Sequence, residues 1–159
     1  MPTDFRELID DRLITLDLKS ENGTAAIEEL ASLMDQAGKL RSRADFVQAV
    51  YQREALTTTA TDEWGIAIPH ARSDAVKEPA ICFGRSCGML WDDESANLVQ
   101  LVFLIAVPAS KPSSDYIETL AALARALVDD DFRKRLMEAH SKEQVIDAIA
   151  SANKIGKVG

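Results

Sequence analysis

Short apolar runs alternate along the chain with longer segments in which apolar residues recur every three or four positions. The segment LITLDL (13–18) alternates apolar and polar residues, which predicts a first strand with one buried face. The segments AICFGRSCGMLW (80–91) and NLVQLVFLIAVPA (97–109) predict two further strands, and the second is apolar almost throughout, as is typical of a central strand covered on both faces. A shorter apolar run, GIAIP (65–69), predicts a strand that Pro69 ends.

Two helices are predicted before the GIAIP run. The segment GTAAIEELASLMDQAG (23–38) has apolar residues at helical spacing, and Gly38 lies where a C-terminal cap would lie. A second helix is predicted from Ser42, a candidate N-cap, to about Leu56, because the apolar residues between them share one helical face.

Three more helices are predicted after the central strand. Residues 111–129 contain serines suited to capping and a helical stripe of apolar residues. The stripe consists of Ile117, Leu120, Leu123 and Leu127. Residues 130–153 divide into two short helices, because SKEQ (141–144) is a capping box that restarts the helix. Residues 154–159 are expected to fray.

Strands and helices thus alternate without strict order, since two strands follow the GIAIP run with no clear helix between them. This order predicts an α/β fold with a mixed parallel and antiparallel central sheet, flanked by helices on both faces. The 159 residues contain no repeat, linker or low-complexity stretch, so we expect one domain over 1–159.

Charge and composition narrow the possible partners. A net charge of -8 argues against binding to nucleic acid or to an anionic membrane surface. No apolar run is long enough to insert into a membrane, and the acidic N-terminus is unlike a signal peptide, so we expect a cytoplasmic protein. Cys82 and Cys87 do not form a zinc pattern, and we expect both to be buried thiols in or beside a strand rather than a redox pair.

The candidate for chemistry is His70, in the sequence GIAIPHAR (65–72). Pro69 fixes its own φ and biases Ile68 toward extended geometry, so we expect His70 on a stiffened turn rather than in a helix or mid-strand. A neutral imidazole there can accept a phosphoryl group or act as a base. Because no paired carboxylate motif accompanies it, the residues alone also allow an exposed histidine with no function.

Other site classes lack their motifs. The chain has no GxSxG elbow, no HxH or HExxH pattern, and no Walker or GxGxxG loop. We therefore expect no hydrolase triad, no metal site and no bound organic cofactor.

Four segments, in order, resemble one known family: REALTTT (53–59), GIAIPHAR (65–72), LVFLIAVPA (101–109) and LMEAHSKEQVIDAI (136–149). They are similar to the fructose/mannitol-type enzyme IIA domain of the bacterial phosphotransferase system, a group that includes the nitrogen-regulatory IIA proteins. The resemblance runs from about residue 13 to residue 150.

The resemblance implies a phosphocarrier, that is, a component of a phosphotransferase. Such a domain takes a phosphoryl group from HPr or its nitrogen-branch equivalent, and passes it to a IIB partner or uses it as a signal toward a regulated target. It implies that His70 is the acceptor, that Arg53 faces the phosphohistidine, and that Thr59 is the threonine of the family's RExLxxT pattern. It implies no cofactor.

The chemistry of phosphoryl transfer agrees with an arginine beside the histidine. Transfer needs in-line approach and stabilisation of charge on the phosphoryl oxygens, for which a guanidinium fork is suited. Arg53 can supply it, although it could instead interact only with the C-terminal dipole of its own helix. Arg72 is a second candidate, with solvent exposure as the alternative.

Two features depart from the family. The stretch YIETLAALA carries Tyr116 where the family's HLxxLxxLA pattern has a second histidine; a tyrosine can donate a hydrogen bond but cannot become cationic, and it could merely pack over the site. This departure keeps open a second hypothesis, a non-catalytic IIA-like regulatory protein.

The connection TATDEWG is one residue longer than usual and adds Asp62 and Glu63, which would repel a phosphoryl group or meet a basic partner. Trp64 is expected to anchor that surface or to lie in the core, and His140 to lie on the surface at a helix end.

Overall fold

The computed structural model describes residues 4–56, 64–92 and 98–155. Its strands are β1 (Ile14–Thr15), β2 (Ile66–Ala67), β3 (His70–Ser73), β4 (Ala80–Leu90) and β5 (Leu98–Pro108). Its helices are α1 (Gly23–Gln36), α2 (Arg43–Leu56), α3 (Ser113–Leu127), α4 (Asp130–Glu138) and α5 (Lys142–Ile155). Two single-turn 3-10 helices, Phe5–Glu7 and Asp11–Leu13, precede β1.

The strands form one sheet around β5. Strand β4 pairs with β5 in antiparallel orientation, whereas β2 and β3 both run parallel to β5 on its other side. Strand β1 runs parallel to β4 at the far edge. The mixed parallel and antiparallel sheet predicted from the order of elements is therefore confirmed.

Helices cover both faces of this sheet. Cys82 of β4 donates its thiol hydrogen to the carbonyl of Leu30 in α1, at 3.5 Å. Arg85, three residues further along the same strand, donates to carbonyls at the end of α4. Side chains three apart on a strand point to opposite faces, so α1 and α4 lie on opposite sides of the sheet, as predicted.

The centre of the core lies between β4 and β5. Every residue from Leu101 to Pro108 is buried, which confirms the prediction of a central strand covered on both faces. Across the β4–β5 ladder the rings of Phe83 and Phe103 lie 5.2 Å apart between centroids and are tilted by 57°. Tilted pairs of this kind contribute beyond the area that they bury.

Local capping explains where α1 and α2 begin and end. The hydroxyl of Ser42 accepts from the N–H of Asp45 at 3.2 Å, as predicted for the N-cap of α2. Gly38 follows α1 with a φ of 76°, and Lys39 N–H donates to the carbonyl of Met34, which is the Schellman pattern. An L side chain rarely adopts that φ, which is why a glycine ends this helix.

The C-terminal helices also follow the predicted pattern. The N–H of Gln144 donates to the hydroxyl of Ser141, as the predicted capping box requires, and the Gln144 side chain accepts from the N–H of His140, one residue before the cap. Helix α5 continues to Ile155 and thus includes the first two residues of the predicted frayed tail, whose remainder lies outside the described residues. Within the described part of the chain, no helix is long and apolar enough to cross a membrane.

Three local predictions were wrong. The segment 13–18 forms only the two-residue β1, because a 3-10 turn occupies its start and the chain bends away after Thr15. The serines at the start of α3 do not cap it; its N-cap is Pro112, with no side-chain cap bond. Ile117 was expected in the buried stripe of α3, yet 63% of it is exposed.

The two cysteines differ. Cys82 is fully buried, as predicted, but Cys87 is exposed, so the prediction of two buried thiols was wrong for Cys87. The β4–β5 register shifts between Arg85 and Met89, and Gly88 takes a φ of 124° there. Such an irregularity interrupts the regular alternation of side chains, which a sequence pattern does not reveal.

Candidate functional site

His70 is the first residue of β3 and is 6% exposed. The prediction of a turn was therefore wrong, as was the alternative of an exposed histidine. Pro69 has no N–H to donate, and it lies between β2 and β3, where the pairing with β5 is interrupted. Its carbonyl still accepts from the N–H of Ile105, so the chain resumes pairing at once and His70 lies opposite Ile105.

A backbone contact assigns the two nitrogens of the His70 ring. Nδ1 lies 2.6 Å from the carbonyl oxygen of Ile68. A carbonyl can only accept a hydrogen bond, so Nδ1 carries the proton in this contact. In the neutral ring Nε2 then keeps its lone pair and is the nucleophilic atom.

The neutral ring is favoured by its surroundings. Burial lowers the pKa of the His70 imidazole below its ordinary value of 6.5, and the positive charge of Arg53 lowers it further. The bond to the Ile68 carbonyl and the carboxylate of Glu54 act on that pKa in the opposite direction. Because desolvation is the largest of these effects, the imidazole is uncharged at neutral pH.

Arg53 lies in the last turn of α2 and is half-buried. Its charge lowers the pKa of both His70 and Tyr116, so its guanidinium lies close enough to act on both rings. The structure therefore places the charge of Arg53 within range of His70 and Tyr116. A planar guanidinium there is suited to bind phosphoryl oxygens.

Tyr116 lies in the first turn of α3 and is half-buried. Its ring centroid is 5.6 Å from that of His70, with the two planes inclined by 59°. Burial raises the pKa of the Tyr116 phenol, although Arg53 acts against this, and the hydroxyl keeps its proton at neutral pH. Tyr116 thus packs on His70 and also carries a hydrogen-bond donor near it.

Glu54 was not recognised as a site residue from the sequence. Its charge acts on His70, and its carboxylate accepts from the indole N–H of Trp91 at 3.3 Å. The one available signal was its position directly after Arg53 in REALTTT. Nothing in the sequence links Glu54 to Trp91, because the contact joins two residues that are far apart along the chain.

The other predicted residues lie elsewhere. Arg72 is exposed, which was the alternative to a role at the histidine, and its guanidinium donates to the main-chain carbonyls of Ala109 and Lys111. Trp64 is 36% exposed, and the guanidinium carbon of Arg133 lies 4.6 Å above its ring, so Trp64 packs at α4. His140 is exposed just before α5, as predicted.

Three residues named from the sequence, Thr59, Asp62 and Glu63, lie outside the described residues. Within the described ranges, no group of three or more His, Cys, Asp or Glu side chains could hold a metal ion.

Two relatives of known type align with nearly the whole chain. The fructose-specific EIIA component of the phosphotransferase system (PTS) of Haloferax volcanii is 37% identical over 93% of this chain and 96% of its own length. The PTS fructose-specific EIIABC component of Bacillus subtilis is 36% identical over 93% of this chain. This chain spans only 23% of that larger protein.

Solved structures of similar proteins have the same fold. The nitrogen regulatory protein IIA-Ntr from Neisseria meningitidis matches with a TM-score of 0.80 at 28% identity, over 91% of this chain and 97% of that one. The complex of enzyme IIAMTL and phosphorylated enzyme IIBMTL from Escherichia coli matches with a TM-score of 0.75, over 90% of this chain and 97% of that one. At 24% identity the second match concerns the fold, and that structure is of a IIA domain bound to a phosphorylated IIB partner.

The predicted resemblance is confirmed by a family model. Residues 7–152 match the model described as "Phosphoenolpyruvate-dependent sugar phosphotransferase system, EIIA 2". Arg53, His70 and Tyr116 all fall within the matched range. The chain belongs to this family of phosphotransferase IIA domains, whose members are phosphocarriers or regulators.

Proposed function

We propose that this protein is a phosphocarrier in which Nε2 of His70 transiently accepts a phosphoryl group. The observation that carries the proposal is the 2.6 Å contact between Nδ1 of His70 and the carbonyl of Ile68. That contact leaves the lone pair on Nε2, and burial keeps the ring neutral. A neutral imidazole with one oriented lone pair is a nucleophile for phosphoryl transfer.

The transfer needs no proton to leave His70. The bond between phosphorus and the donor's nitrogen breaks as the bond between phosphorus and Nε2 forms. The electron pair of the broken bond returns to the donor's ring. The phosphorylated ring keeps its Nδ1 proton, and the Ile68 carbonyl stabilises the positive charge that develops on that ring.

Arg53 and Tyr116 act on the phosphoryl oxygens in this proposal. Arg53 stabilises the negative charge on the oxygens during transfer, since its own charge already acts on both neighbouring rings. Tyr116 donates one hydrogen bond in place of the family's second histidine. We assign Thr59 as a further oxygen-binding residue from its place in the RExLxxT pattern.

The surroundings of the site suit a protein partner. Leu56 at the end of α2 is 80% exposed, and Ile117, the fifth residue of α3, is 63% exposed. Each is close in sequence to a site residue, Arg53 in one case and Tyr116 in the other. In this proposal the two side chains form part of the surface on which the partner protein docks, because the buried centre of such an interface is more apolar than the rest of a protein surface.

We further propose the donor, acceptor and setting of the reaction. The donor is HPr or its nitrogen-branch equivalent, and the receiver is a IIB domain or a regulated target protein. The chain acts as one IIA domain in the cytoplasm. It uses no metal or organic cofactor in this scheme.

The test is incubation with phosphoenolpyruvate, enzyme I and HPr, followed by intact mass measurement, and a parallel run with the nitrogen-branch carrier. The expected result is one acid-labile phosphoryl group, absent from His70→Gln. The control variant is His140→Gln, which alters the exposed histidine and should gain the group normally. No gain with either donor would overturn the carrier function and favour the alternative, a regulatory IIA-like protein that acts by binding.

A further inference from the structure

Arg72 follows His70 by two residues on β3. Alternate residues of a strand point to the same face, so both side chains lie on one side of the sheet. That side is the one covered by α3, because Tyr116 of α3 contacts the His70 ring. Arg72 is thus placed to act on the helix that carries Tyr116.

The guanidinium of Arg72 holds the segment between β5 and α3. Nη2 donates to the carbonyl of Ala109 at 2.7 Å and to that of Lys111 at 2.9 Å, while Nε donates to Lys111 at 3.0 Å. The carbonyl of Ser73 also accepts from the N–H of Ala109 at 3.1 Å. The connection that leads into α3 is therefore tied to β3 by four hydrogen bonds.

The start of α3 lacks the usual local means of orientation. Its N-cap is Pro112, which makes no side-chain cap bond to the N–H groups of the first turn. Tyr116 is the fourth residue of this helix, less than two turns from the tied segment. The direction in which the first turn leaves the sheet therefore follows from how the β5–α3 connection is held on β3, and three of the four bonds that hold it come from Arg72.

We propose that Arg72 is a positioning residue for phosphoryl transfer, because it holds the β5–α3 connection on β3 and so sets Tyr116 against His70. The proposal rests on the proposed function of His70 and Tyr116. It assigns Arg72 no contact with the phosphoryl group. A flexible lysine cannot replace its planar fork, which meets two carbonyls at once.

Arg85 provides a matched control on the neighbouring strand. It also donates to three main-chain carbonyls, those of Leu136, Met137 and Ala139 at the end of α4. It pairs in register with Leu101, four residues before the Ile105 position that faces His70. Arg85→Gln removes a comparable set of contacts and leaves the α3 connection intact.

The experiment measures the rate of phosphoryl transfer to His70 in Arg72→Gln, Arg72→Lys and Arg85→Gln at a temperature where all are folded. We expect both Arg72 variants to lower the rate roughly tenfold with little change in the half-saturating HPr concentration, since misplacement by about 1 Å can cost on the order of 100-fold. Arg85→Gln should leave the rate close to that of the native protein. Equal effects of Arg72→Gln and Arg85→Gln would overturn the proposal.

A double-mutant cycle adds a readout that a merely structural role would not move. In a Tyr116→Ala background, Arg72→Gln should lose most of its effect, because the group that it positions is gone. Full additivity of the two substitutions would contradict the proposal.

Proton NMR of the His70 ring separates this proposal from the carrier function. Arg72→Gln should shift the His70 ring protons in the same direction as Tyr116→Ala, whereas Arg85→Gln should not, even if no phosphoryl group is transferred. Unchanged His70 ring shifts in Arg72→Gln would overturn the positioning role. Absence of transfer in the native protein would overturn the carrier function alone.

Discussion

The rings of His70 and Tyr116 lie 5.6 Å apart between centroids, although 46 positions separate the two residues in the numbering. β3 supplies the histidine and the first turn of α3 supplies the tyrosine. This contact puts a neutral phenol where the family's pattern has a second histidine. The first prediction concerns how much less stable the phosphorylated state is with a tyrosine than with a histidine at this position.

Tyr116→His should raise the equilibrium fraction of phosphorylated protein. A histidine that becomes cationic beside the phosphoryl group donates a charge-assisted hydrogen bond, which is stronger than the neutral bond from a phenol. The gain should be about fivefold in the equilibrium constant with HPr, corresponding to roughly 1 kcal/mol. Intact mass at several ratios of HPr to phosphorylated HPr measures it.

Tyr116→Phe tests whether the hydroxyl matters at all. It keeps the ring that packs on His70 and removes only the donor, so the equilibrium constant should fall by about fivefold, as expected for one lost hydrogen bond. If Tyr116→Phe matches the native protein, Tyr116 only packs over the site.

Arg53→Gln should slow phosphoryl transfer to His70 by about 100-fold, as when one preorganised charge-stabilising donor is removed. The transfer rate of Arg53→Lys should lie between those of the native protein and Arg53→Gln, because lysine keeps the charge but lacks the planar fork. Quenched-flow transfer from phosphorylated HPr gives the rates. Arg43→Gln alters the exposed arginine at the start of the same helix and should transfer at the native rate.

Arg53→Gln should also change the pKa of His70. The charge of Arg53 lowers that pKa, so its removal in Arg53→Gln should raise it, as followed by NMR titration of the imidazole. A His70 pKa that is the same in Arg53→Gln and in the native protein would show that Arg53 does not face the ring.

Stability should fall as the pH is lowered below about 6.5, the ordinary pKa of histidine. The pKa of His70 is lower in the folded state, so the unfolded chain binds a proton more readily and protonation favours unfolding. The contribution of the neutral His70 ring to stability is fully present above the pKa of the unfolded state. It is lost as the pH falls through the pKa of the folded state. Urea unfolding between pH 7.5 and 5 measures the slope.

In that series His70→Gln should show a shallower loss of stability than the native protein. His140→Gln retains His70 and should keep the steeper slope. Parallel slopes for the native protein and His70→Gln would mean that the folded state does not favour the neutral ring.

The two thiols should react differently with iodoacetamide. Cys87 is exposed and should be alkylated in the native protein, whereas Cys82 is fully buried and burial raises the pKa of its thiol far above the ordinary value. We expect one modification in buffer and two in denaturant, by intact mass. Cys87→Ser should then show none in buffer, and rapid native labelling of that variant would contradict the burial of Cys82.

Much of the secondary structure was predictable because its causes are local. The cap at Ser42, the Schellman glycine Gly38 and the capping box before α5 each depend on residues within one helical turn. The long apolar run of β5 likewise indicated a strand covered on both faces. The resemblance to IIA domains, and His70 as its candidate acceptor, also came from the sequence.

The tertiary structure decided what those residues do. Whether His70 is buried, and whether the charge of Arg53 acts on it, depend on how β3, α2 and α3 pack together. The proton on Nδ1 is assigned by a local contact with Ile68, two residues away, which appears only once the backbone conformation is known. The roles of Arg72 and Glu54 depend on contacts with Lys111 and Trp91, each more than 30 positions away. Such contacts leave no periodic signal in a sequence, because they arise only when separate elements pack on one sheet.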